Sequence, residues 1–250
     1  MKQNRVSLID YTGYGRPDDE MWHAAHLLLY TKSTRLQLDS ALMDRIKALS
    51  EEEILTELEY MASTIPSSWE FADVTFLITG VTRACAQQIT RTRTASFAMQ
   101  SQRVVDASGA DVTNPFPAGS ALHSQFDEAQ HHAIKSYESM LANGAQKQDA
   151  RGILPMNVTC NLVAKYNFRS FVDLVTARSS LRTQGEYSQI VREMKEQVLD
   201  VWPWARLFFY TKHAQAISML EQIVQDLGLE TGSGTAWQIA KAIDLLRKAQ

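Results

Sequence analysis

Ala72-Asp73-Val74-Thr75-Phe76-Leu77-Ile78-Thr79-Gly80 is followed, one short stretch later, by Arg91-Thr92-Arg93-Thr94-Ala95-Ser96-Phe97-Ala98-Met99-Gln100-Ser101-Gln102-Arg103. The first run is rich in β-branched and aromatic residues and reads as a strand. Thr82 to Gln88 reads as a helix that carries the chain into the second run. There, three arginines and two serines fall within thirteen residues. A guanidinium fork bonds two oxygens of a phosphate at once, and serine hydroxyls with backbone N–H groups complete such a cradle. Three arginines fit a solvated face or salt-bridge partners equally well, so residue types alone leave both readings open.

Outward from this centre the chain alternates irregularly between helices and strands. Val6 to Thr12 reads as a short strand ending at the turn Gly13-Tyr14-Gly15-Arg16-Pro17. That Gly-x-Gly is too short for a dinucleotide fingerprint. Asp18 and Asp19 precede a helix expected from Glu20 to Thr31, with Met21, Ala24, Ala25, Leu28 and Leu29 on one face. Another helix is expected from Ser50, where Glu51-Glu52-Glu53 suits the positive end of the dipole. Pro66-Ser67-Ser68-Trp69-Glu70 breaks helix formation, and Asp106 to Ser120 is a loop rich in Ser, Gly, Asn and Pro. Helices are expected over Leu122 to Ala142, closed by Asn143-Gly144, then over Phe168 to Arg178 and Tyr187 to Leu199. A short element over Asp149 to Leu154 ends before Pro155. The tail from Ala214 to Lys248 reads as helical with a Gly232-Ser233-Gly234 break. No steady βαβ alternation is present. The expected class is α+β, with mixed helices packed on a central twisted antiparallel sheet.

Composition narrows the function. The chain has 250 residues, 45% hydrophobic and 21% charged, ordinary for a soluble globular protein with a substantial core. A net charge of −3 argues against a protein whose whole surface binds nucleic acid. No apolar run approaches the ~20 residues of a membrane span. Met1 to Gly13 lacks a secretory apolar stretch, and the expectation is a cytoplasmic enzyme. The two cysteines, Cys85 and Cys160, are far apart and form no CxxC, so they are expected to be buried thiols in a reducing compartment, with no metal site. Neither has a His or Lys neighbour in sequence that would lower its pKa. His131-His132 has Lys135 and Ser136 at helical spacing, poor metal ligands, and reads as a surface pair. The aromatic cluster Trp202-Pro203-Trp204, Phe208, Phe209, Tyr210 reads as core or subunit contact.

The second run resembles the signature of the flavin-dependent thymidylate synthases, R-H-R-x-x-S-x-N-x-x-S-x-R. Arg91, Arg93, Ser96, Ser101 and Arg103 match in register. Ala150-Arg151-Gly152-Ile153-Leu154-Pro155 looks like the family's A-R-x-x-L-P. Asn167-Phe168-Arg169, Arg178, Gln184 and Glu186 fall at the spacing of its N-x-R, distal Arg and Q-x-E. Ser67-Ser68-Trp69-Glu70 is similar to its S/T-P-F-E turn. The resemblance spans roughly Val6 to Trp204, so residues 1–212 are expected as one catalytic domain and 213–250 as a helical extension.

The resemblance implies a homotetramer with FAD and a pyrimidine nucleoside monophosphate bound where subunits meet. Carried over by register, Gln88, Arg91, Met99, Gln100, Ser101, Gln102, Arg103, Arg151 and Arg178 would face the nucleotide. Ser67, Arg91, Thr92, Arg93, Met99, Asn167, Arg169 and Asp173 would face FAD. Arg178 would be the catalytic group, stabilising negative charge on the O2/N3 edge of the pyrimidine. The implied reaction moves a one-carbon unit from methylenetetrahydrofolate to C5 of dUMP, with NADPH reducing the flavin and no cysteine nucleophile needed.

The chain departs from the pattern at four polar positions. Thr92 and Ile65 stand where the family has His, Ala98 where it has Asn, and Met99 where it often has Glu. Asp173 replaces a common Asn. Losing polar groups together around one site points to a reshaped, less polar pocket. UMP or dCMP could then replace dUMP, and the product could be hydroxymethyl rather than methyl. A flavin- and nucleotide-binding protein without turnover is the competing reading, and the retained Arg178 speaks for the enzyme.

Overall fold

The computed structural model describes residues 5–33, 39–178 and 185–209. The tail from 213 to 250 and Gln184 lie outside them. The chain divides into two compact units. One comprises the chain up to Glu20 and Ala72–Val198; the other comprises Met21–Phe71 and the chain from Leu199 onward.

The first unit is built on a four-stranded sheet. Its strands are β1 (Val6–Tyr11), β2 (Asp73–Thr82), β3 (Ala95–Met99) and β4 (Thr159–Asn167). Their order is β1-β2-β4-β3, and every pair is antiparallel. The α+β expectation therefore holds. The expected strands Val6 to Thr12 and Ala72 to Gly80 are β1 and β2, each within two residues at its ends. β3 and β4 were not foreseen. β3 is only five residues long and lies inside the arginine-rich segment, and β4 follows Pro155 and Asn157 without a marked strand signal of its own.

One face of the central strands makes the core. Val74, Phe76 and Ile78 of β2 lie opposite Tyr166, Ala164 and Leu162 of β4, and all six are buried. Onto them packs the helix Phe168–Arg178, whose Phe171 ring lies 5.4 Å from Phe76 and 6.1 Å from Tyr166. Each such buried side chain contributes about 1.5–3 kcal/mol. Near its end β2 carries a bulge between Ile78 and Val81. Gly80 sits in that bulge with φ +61, a conformation that only glycine adopts cheaply, and its N–H donates to Asn161 Oδ1 at 3.0 Å.

The helix Gly185–Val201 lies along the β1 edge. Gln197 there accepts from the Leu8 N–H and donates to the Val6 carbonyl, so one side chain satisfies two edge groups of the strand. A smaller apolar cluster joins Ala107, Tyr137 and Ala150. Tyr137 belongs to the long helix Ala121–Ala142, which ends at Asn143 before Gly144 at φ +86, as the Asn-Gly signal predicts.

In the second unit, the helices are His23–Lys32, Ser40–Lys47 and Glu51–Thr64. Ser50 caps the last with a reciprocal capping box to Glu53. The expected helix from Glu20 starts later, and Met21 is exposed before it, while Ala24, Ala25, Leu28 and Leu29 are buried as expected. The helix Ser40–Lys47 was not foreseen. Pro66–Phe71 forms a 3-10 turn rather than a plain break. Trp69, Trp204 and Phe208 pack edge to face, and the Trp204 indole donates to the Met21 carbonyl at 2.8 Å. The Trp202–Phe209 cluster is buried, the core role expected of it.

Candidate functional site

The arginine-rich segment is placed by a chain of local bonds. Thr82 ends β2 and caps the short helix Arg83–Ile89 by accepting from the Cys85 N–H at 3.1 Å. The Thr82 hydroxyl and N–H both donate to Glu186, at 2.6 and 3.2 Å. Arg5 completes the anchor with an ion pair to Glu186 at 2.8 Å. Backbone turns from Arg91 to Gln88 and from Thr92 to Ile89 then turn the chain into β3. β3 is the sheet's edge strand, registered Ala95 to Tyr166 and Met99 to Leu162. The segment therefore has two ends, about 14 Å apart by strand rise.

At the first end, Arg91, Thr92 and Arg93 lie by the junction of β4 with the following helix. Asn167 Oδ1 accepts from the Ser170 N–H at 2.8 Å, which makes Asn167 the cap of that helix and leaves its amide NH2 for another acceptor. Arg169 is half-exposed and Asp173 exposed, one helical turn apart. Arg178 closes the helix, its guanidinium carbon 4.9 Å from the centre of the Tyr187 ring. Tyr187 is fully buried. Burial raises the Tyr187 phenol above its ordinary pKa, while Thr92 and Arg178 beside it act in the opposite direction.

At the second end, the Arg83 guanidinium points at Met99 Sδ, 3.8 Å away. Gln100 locks to Asn161 in both directions, N–H to carbonyl at 2.9 Å and side chain from the Asn161 N–H at 3.2 Å. Ser101 turns the chain, its carbonyl accepting from Val104 and Val105 and its hydroxyl from the Arg103 N–H. Arg103 and Arg151 converge on Gln148: Arg103 Nη2 donates to its side-chain oxygen at 3.3 Å and Arg151 Nε to its carbonyl at 3.1 Å. Lys147 donates to the Val104 carbonyl at 3.3 Å and reaches Asp106 at 4.0 Å. Beside these bonds a cavity of about 380 Å³ opens between Gln100, Gln102 and Asp106 on one side and Thr159 to Asn161 on the other.

Arg91, Arg93 and Arg103 are exposed and Arg151 is half-exposed. Among the described residues none of the four has a carboxylate within ion-pair distance. In a chain of net charge −3, such cations are available to a bound anion.

The structure thus places Arg91, Thr92, Arg93, Asn167 and Arg169 toward the Ala95 end of β3. It places Gln100, Ser101, Gln102, Arg103 and Arg151 at the other. Met99 ends β3, Gln88 lies in the last turn of the helix before it, and Ser67 is exposed on the 3-10 turn of the other unit. Arg178 lies ten residues along the helix from Phe168, against Tyr187 and near Thr92. Gln148 and Tyr187 carry no signal in the sequence: a glutamine in a short turn and a tyrosine in a helix become site residues only through tertiary contacts.

The cysteines behave as expected. Both are free and buried. Burial, reinforced by the Glu186 charge, pushes the Cys85 thiol up to about 12. Burial also raises Cys160, against the pull of the nearby Arg83. Neither supplies a thiolate near neutral pH. His131 and His132 are exposed on their helix. Among the described residues no cluster of three or more His, Cys, Asp or Glu could hold a metal, and no helix is long and apolar enough to cross a membrane.

Residues 7–204 match the thymidylate synthase complementing protein family. A flavin-dependent thymidylate synthase of Pyrococcus abyssi is 28% identical over 216 residues, covering 81% of this chain and 84% of the relative. That of Pyrococcus furiosus is 27% identical with the same coverage. That of Sulfurisphaera tokodaii is 31% identical over 170 residues, covering 66% of this chain and 64% of the relative.

Proposed function

The chain belongs to the thymidylate synthase complementing protein family, and on that premise we propose that it methylates C5 of a pyrimidine nucleoside monophosphate, dUMP first, with FAD as cofactor. Methylenetetrahydrofolate is the carbon donor in this reading and NADPH the reductant. The observation that carries it is that Arg91, Arg93, Arg103 and Arg151, at signature positions toward the two ends of β3, have no carboxylate partner among the described residues.

FAD, when bound, supplies the reducing equivalents. The residues present suit it: Arg91 and Arg93 offer uncompensated charge for a pyrophosphate, and the Asn167 amide is free to donate. Arg169 would add to its binding, and Thr92 and Met99 would line it with fewer polar groups than the family signature has. At the other end Arg103 and Arg151 hold the nucleotide phosphate, with Ser101, Gln100 and Gln102 along the ribose. Arg178 stabilises the negative charge that builds on the pyrimidine edge as C5 attacks the one-carbon unit. In this reading the protein is a homotetramer with sites shared between copies of the chain. The buried, proton-holding thiols support chemistry without a cysteine nucleophile.

The test is direct. Reduced, FAD-loaded protein is incubated with methylenetetrahydrofolate and, separately, dUMP, UMP, dCMP and CMP, and the nucleotides are weighed by mass spectrometry. A gain of CH2 on dUMP is expected. A gain of CH2O would assign hydroxymethyl transfer, a gain on UMP or dCMP would reassign the substrate, and nucleotide binding without any mass change would reduce the protein to a binder.

A further inference from the structure

We infer that Tyr187 is a positioning residue for Arg178, holding its guanidinium against its ring in one orientation with its charge uncancelled. The inference rests on the functional reading above and adds a residue to it. Tyr187 lies in the first turn of the helix Gly185–Val201, and its ring is fully buried. The Arg178 guanidinium carbon lies 4.9 Å from the ring centre, within the range of a cation–π contact. Arg178 Nε is buried and has no hydrogen-bond partner. A buried donor left open costs stability, so what else holds the guanidinium matters.

The chemistry of the partner decides what this means. A carboxylate beside Arg178 would hold it too, but would take up its N–H fork and neutralise its charge. A ring face attracts the cation through its quadrupole and leaves its charge uncancelled. The sheet fixes the ring in turn, because Glu186, next in the chain, is anchored by Thr82 and Arg5. Thr92 lies on the hydroxyl side of the same ring. A side chain with many rotamers is thereby presented in one orientation before substrate arrives, which is the condition for stabilising charge without reorganisation.

The test replaces Tyr187 in the FAD-loaded protein with phenylalanine and then with mono-, di- and trifluorinated phenylalanines by amber suppression. Fluorine empties the ring face of negative potential while the shape is nearly kept. The expected result is that kcat falls stepwise along the fluorinated series, by about 10-fold between the Tyr187→Phe protein and the trifluoro ring. The nucleotide KM should move less than about threefold. In an Arg178→Ala background the series should be flat. A flat series with Arg178 present overturns the inference. So does a loss already complete at Tyr187→Phe, which would assign the role to the hydroxyl, or a series that persists without Arg178. Failure of the functional reading looks different: the unsubstituted protein would transfer no carbon to any nucleotide. The inferred role would fall with it, and the ring contact alone would still show in the nitrogen-15 spectrum, as an Arg178 Nε–H resonance that shifts between Tyr187 and Tyr187→Leu.

Discussion

The two ends of β3 are built in opposite ways. The Arg91 end rests on buried, rigid neighbours: Tyr166 in the sheet, Tyr187 under Arg178, and a helix capped by Asn167. The Arg103 end is a surface turn stitched by single hydrogen bonds to Gln148 and Lys147, most of them exposed. A buried aromatic support leaves one orientation open to a guanidinium. Exposed hydrogen bonds contribute only about 0.5–1.5 kcal/mol each and permit adjustment. The difference suits a division of labour in which the rigid end stabilises developing charge and the adjustable end binds a phosphate, whose charge hardly changes during reaction.

The sharpest way to break this contrast is to remove Arg178. Arg178→Ala should lower kcat by roughly 10²-fold or more, about 2.7 kcal/mol, with a smaller change in nucleotide affinity. Steady-state kinetics with equilibrium nucleotide binding would check it, and an Arg178→Ala protein with full kcat would refute the division. Arg103→Ala should show the reverse emphasis, weakening nucleotide binding on the order of 10-fold while kcat at saturation falls less. Calorimetric titration of dUMP would measure it, and unchanged affinity would move the phosphate away from this end.

A finer probe is Gln148→Ala. It removes the side-chain oxygen that orients Arg103 but keeps the carbonyl that holds Arg151. Nucleotide affinity should weaken by about threefold, as one exposed hydrogen bond allows, and a loss as large as that of Arg103→Ala would show the turn to be rigid after all. The smallest effect is expected from Cys85→Ala, with kcat within about twofold of the parent. Native Cys85 and Cys160 should resist a thiol reagent at pH 8 and react once the protein is unfolded. Because the folded Cys85 keeps its proton up to about 12, above the ordinary thiol value of 9.0, its contribution to stability is whole below that value and fades as pH climbs toward the higher one. Urea midpoints of the parent should therefore fall more steeply across that alkaline range than those of Cys85→Ala.

Much of the site was legible in the sequence because its chemistry is carried by residue type. Guanidiniums are chosen for phosphates, and the spacing of Arg91, Arg93, Ser101 and Arg103 survives as a pattern whatever the chain does between them. The helices were legible where caps mark them, at Ser50 and at Asn143-Gly144. β3 was not, since a five-residue strand, Ala95–Met99, set between arginine-rich flanks is too short to show a period. Tyr187 read only as the start of the helix expected over Tyr187 to Leu199. Its role depends on Arg178, which ends a different helix.

The sequence by itself determined the class of fold, the buried cysteines and the spacing of the arginines. These follow from side-chain chemistry and short-range pattern, which need no partner in space. Only the tertiary structure decided that β3 separates those arginines into two groups, that Gln148 joins Arg103 to Arg151, and that Tyr187 lies under Arg178. The reason is physical: antiparallel register turns neighbours in sequence into opposite ends of a strand, and contacts between distant elements leave no period in the chain.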